Sequence, residues 1–389
     1  MSEEPDSTFE PWAIEEWFSS PSRETHFNSA GSTLCPVPVK QEVQAFLETY
    51  ALDMGQAYKT FSPRVERLRR NLAGLMGATP EEIAITHHTA EGTGVVANGL
   101  HWRKGDAIMT LSREYPSTMY PWMHLERTRG VRLVILEERD GRLDEDEIID
   151  NLWREKPRLF ALSAVEWCSG WRFDLQRIGR ACRETGAFFF VDAAQSLGFW
   201  ECDVRACHVS AMAGSAWKWL FGPPGQGYLY LRRGLLKEVR PTFVGSSSVV
   251  DAKNYLDYKL AFQPDMRRFE YSTANLSALV WFDAGVRFLH RLGLPEIREH
   301  VFALQDYAAQ RLRDLGCELR GGQGPPERRS GIMAFRHPGV DSSALSEQLK
   351  SEAGMTVPER DGFLRVSFHA YNTRAGIDAL VHHVSRLLP

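Results

Sequence analysis

A chain of 389 residues, 43% of them hydrophobic, is long enough to bury a substantial core and to hold a large domain plus a smaller one. Its 46 Lys and Arg against 50 Asp and Glu leave a formal charge of -4, which gives no electrostatic case for nucleic acid or an anionic membrane and makes small molecules the expected partners. The acidic start, Met1-Ser2-Glu3-Glu4-Pro5-Asp6, is unlike a secretory leader and no apolar run reaches membrane-spanning length, so a cytoplasmic protein is expected.

The first dozen residues are polar enough to fray. From about residue 60 to 235, amphipathic stretches alternate with short apolar runs, the pattern of strands and crossover helices. Val65, Leu68, Leu72 and Leu75 stand at helical spacing and predict a helix over 63–76. Strands are predicted over 82–86, 107–111, 131–136, 159–165 and 188–191, with helices over 144–153 and 175–184. The runs 159–165 and 188–191 are short and β-rich enough to be buried parallel strands. Beyond about residue 290 the texture becomes that of a compact α+β lobe. It reads as a helix over 294–315, a Gly/Pro-rich turn at 321–326, strands over 331–336 and 362–367, and a last helix over 374–388. Residues 1–289 thus form one expected domain and 290–389 a smaller second one.

Cys35, Cys168, Cys182, Cys202, Cys207 and Cys317 include no CxxC pair, which argues against a disulfide framework. Cys202 and Cys207 with His208 match no common zinc spacing, so no metal site is expected and the cysteines read as buried core residues.

Two segments carry chemistry. In Phe188-Phe189-Phe190-Val191-Asp192-Ala193-Ala194-Gln195-Ser196-Leu197-Gly198, a carboxylate stands at the C-terminal end of an apolar strand, where open α/β sheets bind ligands. An Asp there is also explained by a local turn. In Ser215-Ala216-Trp217-Lys218-Trp219-Leu220-Phe221-Gly222-Pro223-Pro224-Gly225-Gln226-Gly227, a lysine is set between two tryptophans before a Gly/Pro turn. Lysine is ordinarily a solvated surface residue. Desolvation of the kind expected here lowers its pKa and keeps the amine nucleophilic, as a Schiff-base lysine requires. The glycines do not make a dinucleotide site, because their spacing is not GxGxxG and the β-rich Tyr228-Leu229-Tyr230-Leu231 follows.

These two segments, with Phe27-Asn28-Ser29-Ala30-Gly31 and Leu364-Arg365-Val366-Ser367-Phe368-His369-Ala370-Tyr371-Asn372-Thr373, resemble the signature of the class V, fold-type I pyridoxal-phosphate (PLP) aminotransferase-like family. The resembling branch holds cysteine desulfurases, selenocysteine lyases, kynureninases and isopenicillin N epimerase-like proteins, and the motifs run through nearly the whole chain. The resemblance implies an α/β fold whose large domain has a mostly parallel central sheet between helices, with a smaller α+β C-terminal domain.

It also implies roles. Lys218 would hold pyridoxal 5'-phosphate as a Schiff base and move the substrate's Cα proton, and Asp192 would keep the pyridine nitrogen protonated. Gln195 would bond the ring's phenolic oxygen. Thr89, Ala90 and Glu91, in the helix start His88-Thr89-Ala90-Glu91-Gly92-Thr93, and Ser215 would hold the phosphate. Thr89 is equally placed for an ordinary helix cap, and Ala90 lacks the hydroxyl many relatives carry. Tyr115 would stack on the ring where desulfurases have histidine; core packing is its other reading. Trp217 replaces the usual His or Tyr. Thr273, in Arg268-Phe269-Glu270-Tyr271-Ser272-Thr273-Ala274-Asn275, would complete the neighbouring subunit's site, which makes a homodimer with shared active sites. Arg365 would clamp the α-carboxylate of a small amino-acid substrate, with Asn28 and Trp167 beside it.

Desulfurases need an acceptor thiol on a loop in the C-terminal lobe. Here Gly354-Met355-Thr356-Val357-Pro358-Glu359-Arg360-Asp361-Gly362 runs directly into the Arg365 strand, and no cysteine follows Cys317. The expected reaction is therefore carbon–sulfur β-elimination from an S-substituted cysteine without a persulfide-forming cysteine. Epimerisation of the isopenicillin N type, transamination and a non-catalytic PLP-binding protein stay as alternatives. Trp102, Trp122, Trp167, Trp171, Trp217 and Trp219 are candidates for aromatic pocket walls or for core.

Overall fold

The structure is a computed structural model that describes residues 14–138, 144–251, 254 and 256–388. The expected fraying of the first dozen residues lies outside the described residues. The chain enters through the short α1 (Ile14–Trp17), followed by α2 (Val37–Leu52) and α3 (Met54–Leu75). α3 starts at Met54, well before residue 63, because Asp53 caps it by accepting from the Gln56 N–H at 3.0 Å. Pro63 sits inside the helix at an exposed position, where a carbonyl that loses its partner can meet water.

An alternating series follows: β1 (Ile83–Thr86), α4 (Thr89–Gly99), β2 (Ala107–Leu111), α5 (Pro116–Arg129), β3 (Arg132–Leu136), α6 (Glu145–Glu155), β4 (Leu159–Ser163), α7 (Leu175–Thr185), β5 (Phe188–Asp192), β6 (Ala211–Ser215) and β7 (Gly227–Leu231). Its strands make one seven-stranded sheet in the order β1-β7-β6-β5-β4-β2-β3. The β3, β2, β4, β5 and β6 neighbours are parallel, and β7 runs antiparallel to both β6 and β1. Every residue of β2, β4, β5, β6 and β7 is buried, which is why their sequences are nearly unbroken apolar runs. Edge strand β3 is half exposed and reads less cleanly. Asp144 and Asp174 cap α6 and α7 with their side chains, and Gly130 and Gly186 end α5 and α7 in the left-handed conformation.

The chain then forms α8 (Leu276–Leu292), α9 (Leu294–Asp314), β8 (Glu318–Gly321), β9 (Ile332–Arg336), α10 (Ser342–Ala353), β10 (Glu359–Arg360), β11 (Phe363–Ser367) and α11 (Arg374–Leu387). β10, β11, β9 and β8 pair in that order as a second, antiparallel sheet. The molecule is thus mixed α/β, with a mostly parallel central sheet and a smaller C-terminal unit. Among the described residues no helix is long and apolar enough to cross a membrane.

A short strap ties the two sheets. The Phe27 N–H donates to Thr356 O at 3.3 Å, and Ser367 N–H donates to Phe27 O at 2.8 Å. Farther along, Ala30 N–H donates to Ser367 Oγ at 2.9 Å and Thr33 N–H to Trp217 O at 2.9 Å. The N-terminal segment therefore reaches from the edge of β11 to the turn that carries Lys218.

Close packing of α7 on the sheet rests on Gly179, where a Cβ would collide with the Cys207 backbone carbonyl and press on Phe189. Backbone cannot swing aside as a side chain can. Gly179→Ala is expected to lower stability by about 1–3 kcal/mol, read as an earlier urea midpoint at unchanged slope. An unchanged midpoint would show that α7 can lift off at no cost.

Candidate active site

The C-terminal ends of β4, β5 and β6 open into a cavity of about 380 Å³. Asp192, the last residue of β5, lies at its floor with 5% exposure. Its Oδ1 accepts from Ala194 N–H at 2.8 Å and its Oδ2 from Thr118 Oγ1 at 2.7 Å. Burial still holds its carboxyl above the usual carboxylate range.

β6 ends at Ser215, and the chain turns tightly: Gly222 N–H donates to Ala216 O at 2.9 Å and Phe221 takes a positive φ of 53°. That turn drives Trp219 into the core and swings Lys218 into the cavity, where it is 9% exposed. Burial brings the Lys218 ammonium down to about 8, opposed by the attraction of Asp192 and assisted by Arg365. The amine is thus partly free base near neutral pH. Its Nζ stands 5.5 Å from the centroid of the Tyr115 ring. Trp219 Nε1 donates to Gln195 Oε1 at 3.0 Å, and Gln195 Nε2 donates to Ala30 O at 3.0 Å, so the Gln195 amide is pinned at both ends.

At another wall, α4 begins at Thr89, and Thr89, Ala90 and His88 line the cavity with Ser215. The Ser215 Oγ is buried and has no partner. An unpaired hydroxyl beside a helix N-terminus is an arrangement suited to an anion. Opposite, Tyr115 and Trp167 meet edge to face at 5.4 Å. Arg365, 3% exposed, donates through Nη1 to Trp167 O at 2.9 Å and through Nη2 to Asn28 Oδ1 at 3.1 Å, while its Nε is buried without a partner.

Thr89, Ala90, Tyr115, Trp167, Asp192, Gln195, Ser215, Lys218 and Arg365 therefore share one cavity. Asn28 reaches it only through Arg365. The Glu91 side chain turns away: it accepts from the His87 backbone N–H at 2.6 Å and meets the His87 ring, facing a second cavity of about 490 Å³. The Glu91 N–H points at His88 Nδ1. Thr273 also lines that second cavity and not the one with Lys218. Of the tryptophans, Trp167 and Trp217 are walls, whereas Trp122 and Trp219 are core.

Sequence reading missed Thr118, Ser163, Glu114 and Arg360. Glu114 is buried and accepts from the Ser163 N–H at 2.6 Å and from its hydroxyl. Burial raises its carboxyl to about 8. Ser163 is in register with Asp192, so Glu114 lies close enough behind the floor for the Asp192 charge to add to the effect of burial. None of the six cysteines, all free, lines the cavity.

The model of the family described as Aminotransferase class-V matches residues 25–380. A probable cysteine desulfurase of Methanothermobacter thermautotrophicus is 28% identical over 376 residues, covering 91% of this chain and 92% of that protein. An uncharacterized aminotransferase of Bacillus subtilis, YcbU, is 26% identical, covering 91% of this chain and 92% of its own length. Among solved structures, the apo cysteine desulfurase of Thermococcus onnurineus superposes with a TM-score of 0.88 at 25% identity, covering 98% of this chain and 99% of the other. The cystine C–S lyase C-DES has the same fold, with a TM-score of 0.87 at 22% identity over 96% of this chain and 100% of the other.

A carboxyl raised by burial binds its proton more tightly folded than unfolded, so Glu114 contributes stability that is full below the ordinary carboxylate pKa and lost as pH rises through about 8. Glu114→Gln, which keeps the shape and removes the titration, is expected to flatten the fall in melting temperature between pH 5 and 8. Identical slopes for the two proteins would show that Glu114 is ionised throughout.

Proposed function

The chain belongs to the aminotransferase class-V family, and from that premise we propose that it is a PLP enzyme that breaks the Cβ–sulfur bond of an S-substituted cysteine. The observation that carries the reading is the convergence of Lys218, Asp192 and Arg365 on one cavity that no cysteine lines.

The cavity fits the cofactor. Ser215, with its unpartnered hydroxyl, and the start of α4 at Thr89 suit its phosphate. Asp192, already holding two donors and desolvated, suits a protonated ring nitrogen as its charge partner. Tyr115 offers a flat face next to Lys218. When bound, PLP supplies the electron sink that stabilises negative charge at the substrate's Cα.

The residues then divide the work. Arg365 would bind the α-carboxylate through N–H groups not used on Trp167 and Asn28, and so orient the substrate's Cα toward Lys218. Lys218, with a pKa near 8, takes the Cα proton and can return it. The balanced reaction is R–S–CH2–CH(NH3+)–COO− plus water giving RSH, pyruvate and ammonium. A thiol leaving group needs no acceptor cysteine. Although relatives carry the name cysteine desulfurase, the segment from buried Met355 and Val357 runs straight into β10 and leaves no thiol-bearing loop.

We also propose a homodimer in which Thr273 of one protomer serves the site of the other. Exposed Leu52, Tyr58, Phe243, Val244, Tyr258 and Leu260 leave large apolar side chains in water, which a subunit interface would cover.

Borohydride reduction of the yellow protein, followed by peptide mapping, is expected to place a pyridoxyl group on Lys218, and a panel of S-substituted cysteines to release pyruvate and thiol. A keto acid that keeps the sulfur substituent would mean transamination, and solvent deuterium at Cα without pyruvate would mean epimerisation. Replacing Cys35, Cys168 and Cys317 together with Ser should leave turnover within about fivefold, after allowance for the stability losses of core substitutions. A protein-bound persulfide trapped during turnover would restore the desulfurase reaction.

A further inference from the structure

The same cavity has a second guanidinium on its lining. Arg360 closes β10, pairs with Phe363 across the turn, and faces the space that Lys218 and Arg365 share. The one hydrogen bond of its side chain is from Nη1 to Glu359 O at 2.6 Å, and among the described residues it has no ion-pair partner. The nearby carboxylates are committed elsewhere. Asp361 is held by Arg113 and by Arg320, the latter at 2.7 Å. Glu166 accepts from the backbone N–H groups of Cys168 and Ser169, and Glu359 accepts from Gly362 N–H at 2.6 Å.

Burial first and Arg360 second disfavour the charge on Arg365, which Glu166 only partly offsets, and neither guanidinium is in a salt bridge among the described residues, so the shared space favours anions. An α-carboxylate on the buried Nε side of Arg365 neutralises one of the two guanidinium groups. The cofactor's phosphate is accounted for by Thr89 and Ser215. Arg360 remains, half-buried at the cavity edge, with Tyr115 and Trp167 forming an apolar wall in the same space. Thioethers pack well against aromatic rings.

We propose that Arg360 binds a second carboxylate, on the far end of the substrate's sulfur substituent, so that this enzyme selects S-substituted cysteines bearing an acidic tail. The identity of the broken bond rests on the carbon–sulfur lyase reading above; the selection for two separated carboxylates does not.

The test compares S-carboxymethyl-L-cysteine with its neutral isostere, S-carbamoylmethyl-L-cysteine, on the purified holoenzyme. A charge-assisted pair in a partly desolvated site should favour the acid in kcat/KM by about tenfold. Arg360→Gln should bring that ratio close to one, and Arg360→Glu should turn the preference toward S-(2-aminoethyl)-L-cysteine. Calorimetric titration with glutarate against its monoamide gives a readout without turnover, and Arg360→Gln should erase that difference too. No preference in the unmodified enzyme, or a preference that survives Arg360→Gln, overturns the proposal. So does an equal loss for acid and amide in Arg360→Gln, because both arginines would then share the α-carboxylate. If no thiol is released from any substrate, the lyase reading falls, while the titration still decides the role of Arg360.

Discussion

A carboxylate without water at the end of a buried strand must be answered by donors or by a cation, and Asp192 is answered by both. Thr118 Oγ1 and Ala194 N–H supply the donors, and Lys218 supplies the nearby charge. Each of these requires a particular piece of the fold. Thr118 can reach Asp192 only if α5 starts where Pro116 places it, and that start sets Tyr115 at the cavity edge. Lys218 is available only because β6 ends at Ser215 and turns before antiparallel β7. The cavity wall, the floor and the reactive amine are thus consequences of where one acid is buried.

The parts legible in sequence are those where local composition and final environment agree. Buried parallel strands announce themselves because both faces are apolar, and Phe188-Phe189-Phe190-Val191 could hardly be anything else. Lys218 was legible because a lysine flanked by tryptophans is out of place on a surface. The start of α3 was not, since Pro63 reads as a helix beginning although it lies mid-helix. Thr118 and Glu114 carry no local signal: the bond from Thr118 to Asp192 joins residues 74 apart, and a buried glutamate has the same letter as a solvated one. Arg360 was in view only as part of a segment lacking cysteine; its charge gained meaning when the fold set it beside Arg365.

The same comparison separates fold from chemistry. The chain superposes along nearly its whole length on a cysteine desulfurase, and the segment before β11 is short, with Met355 and Val357 packed into the core and the charged β10 after them. A shared fold does not by itself carry a shared reaction, because loops bear little of the packing that specifies the sheet.

The strap from Phe27 to Thr33 gives the cavity a mechanical property. Asn28 holds Arg365, Ala30 O receives the Gln195 amide, and Thr33 is fastened to the backbone of Trp217. A ligand that draws Arg365 inward therefore tugs on a cord whose other end is knotted to the lysine turn. The strap thus joins Arg365 to the lysine turn through a continuous run of bonded backbone. Cleaving the chain between Gly31 and Ser32 would cut that cord, separating the end held by Arg365 from the end fastened to Trp217.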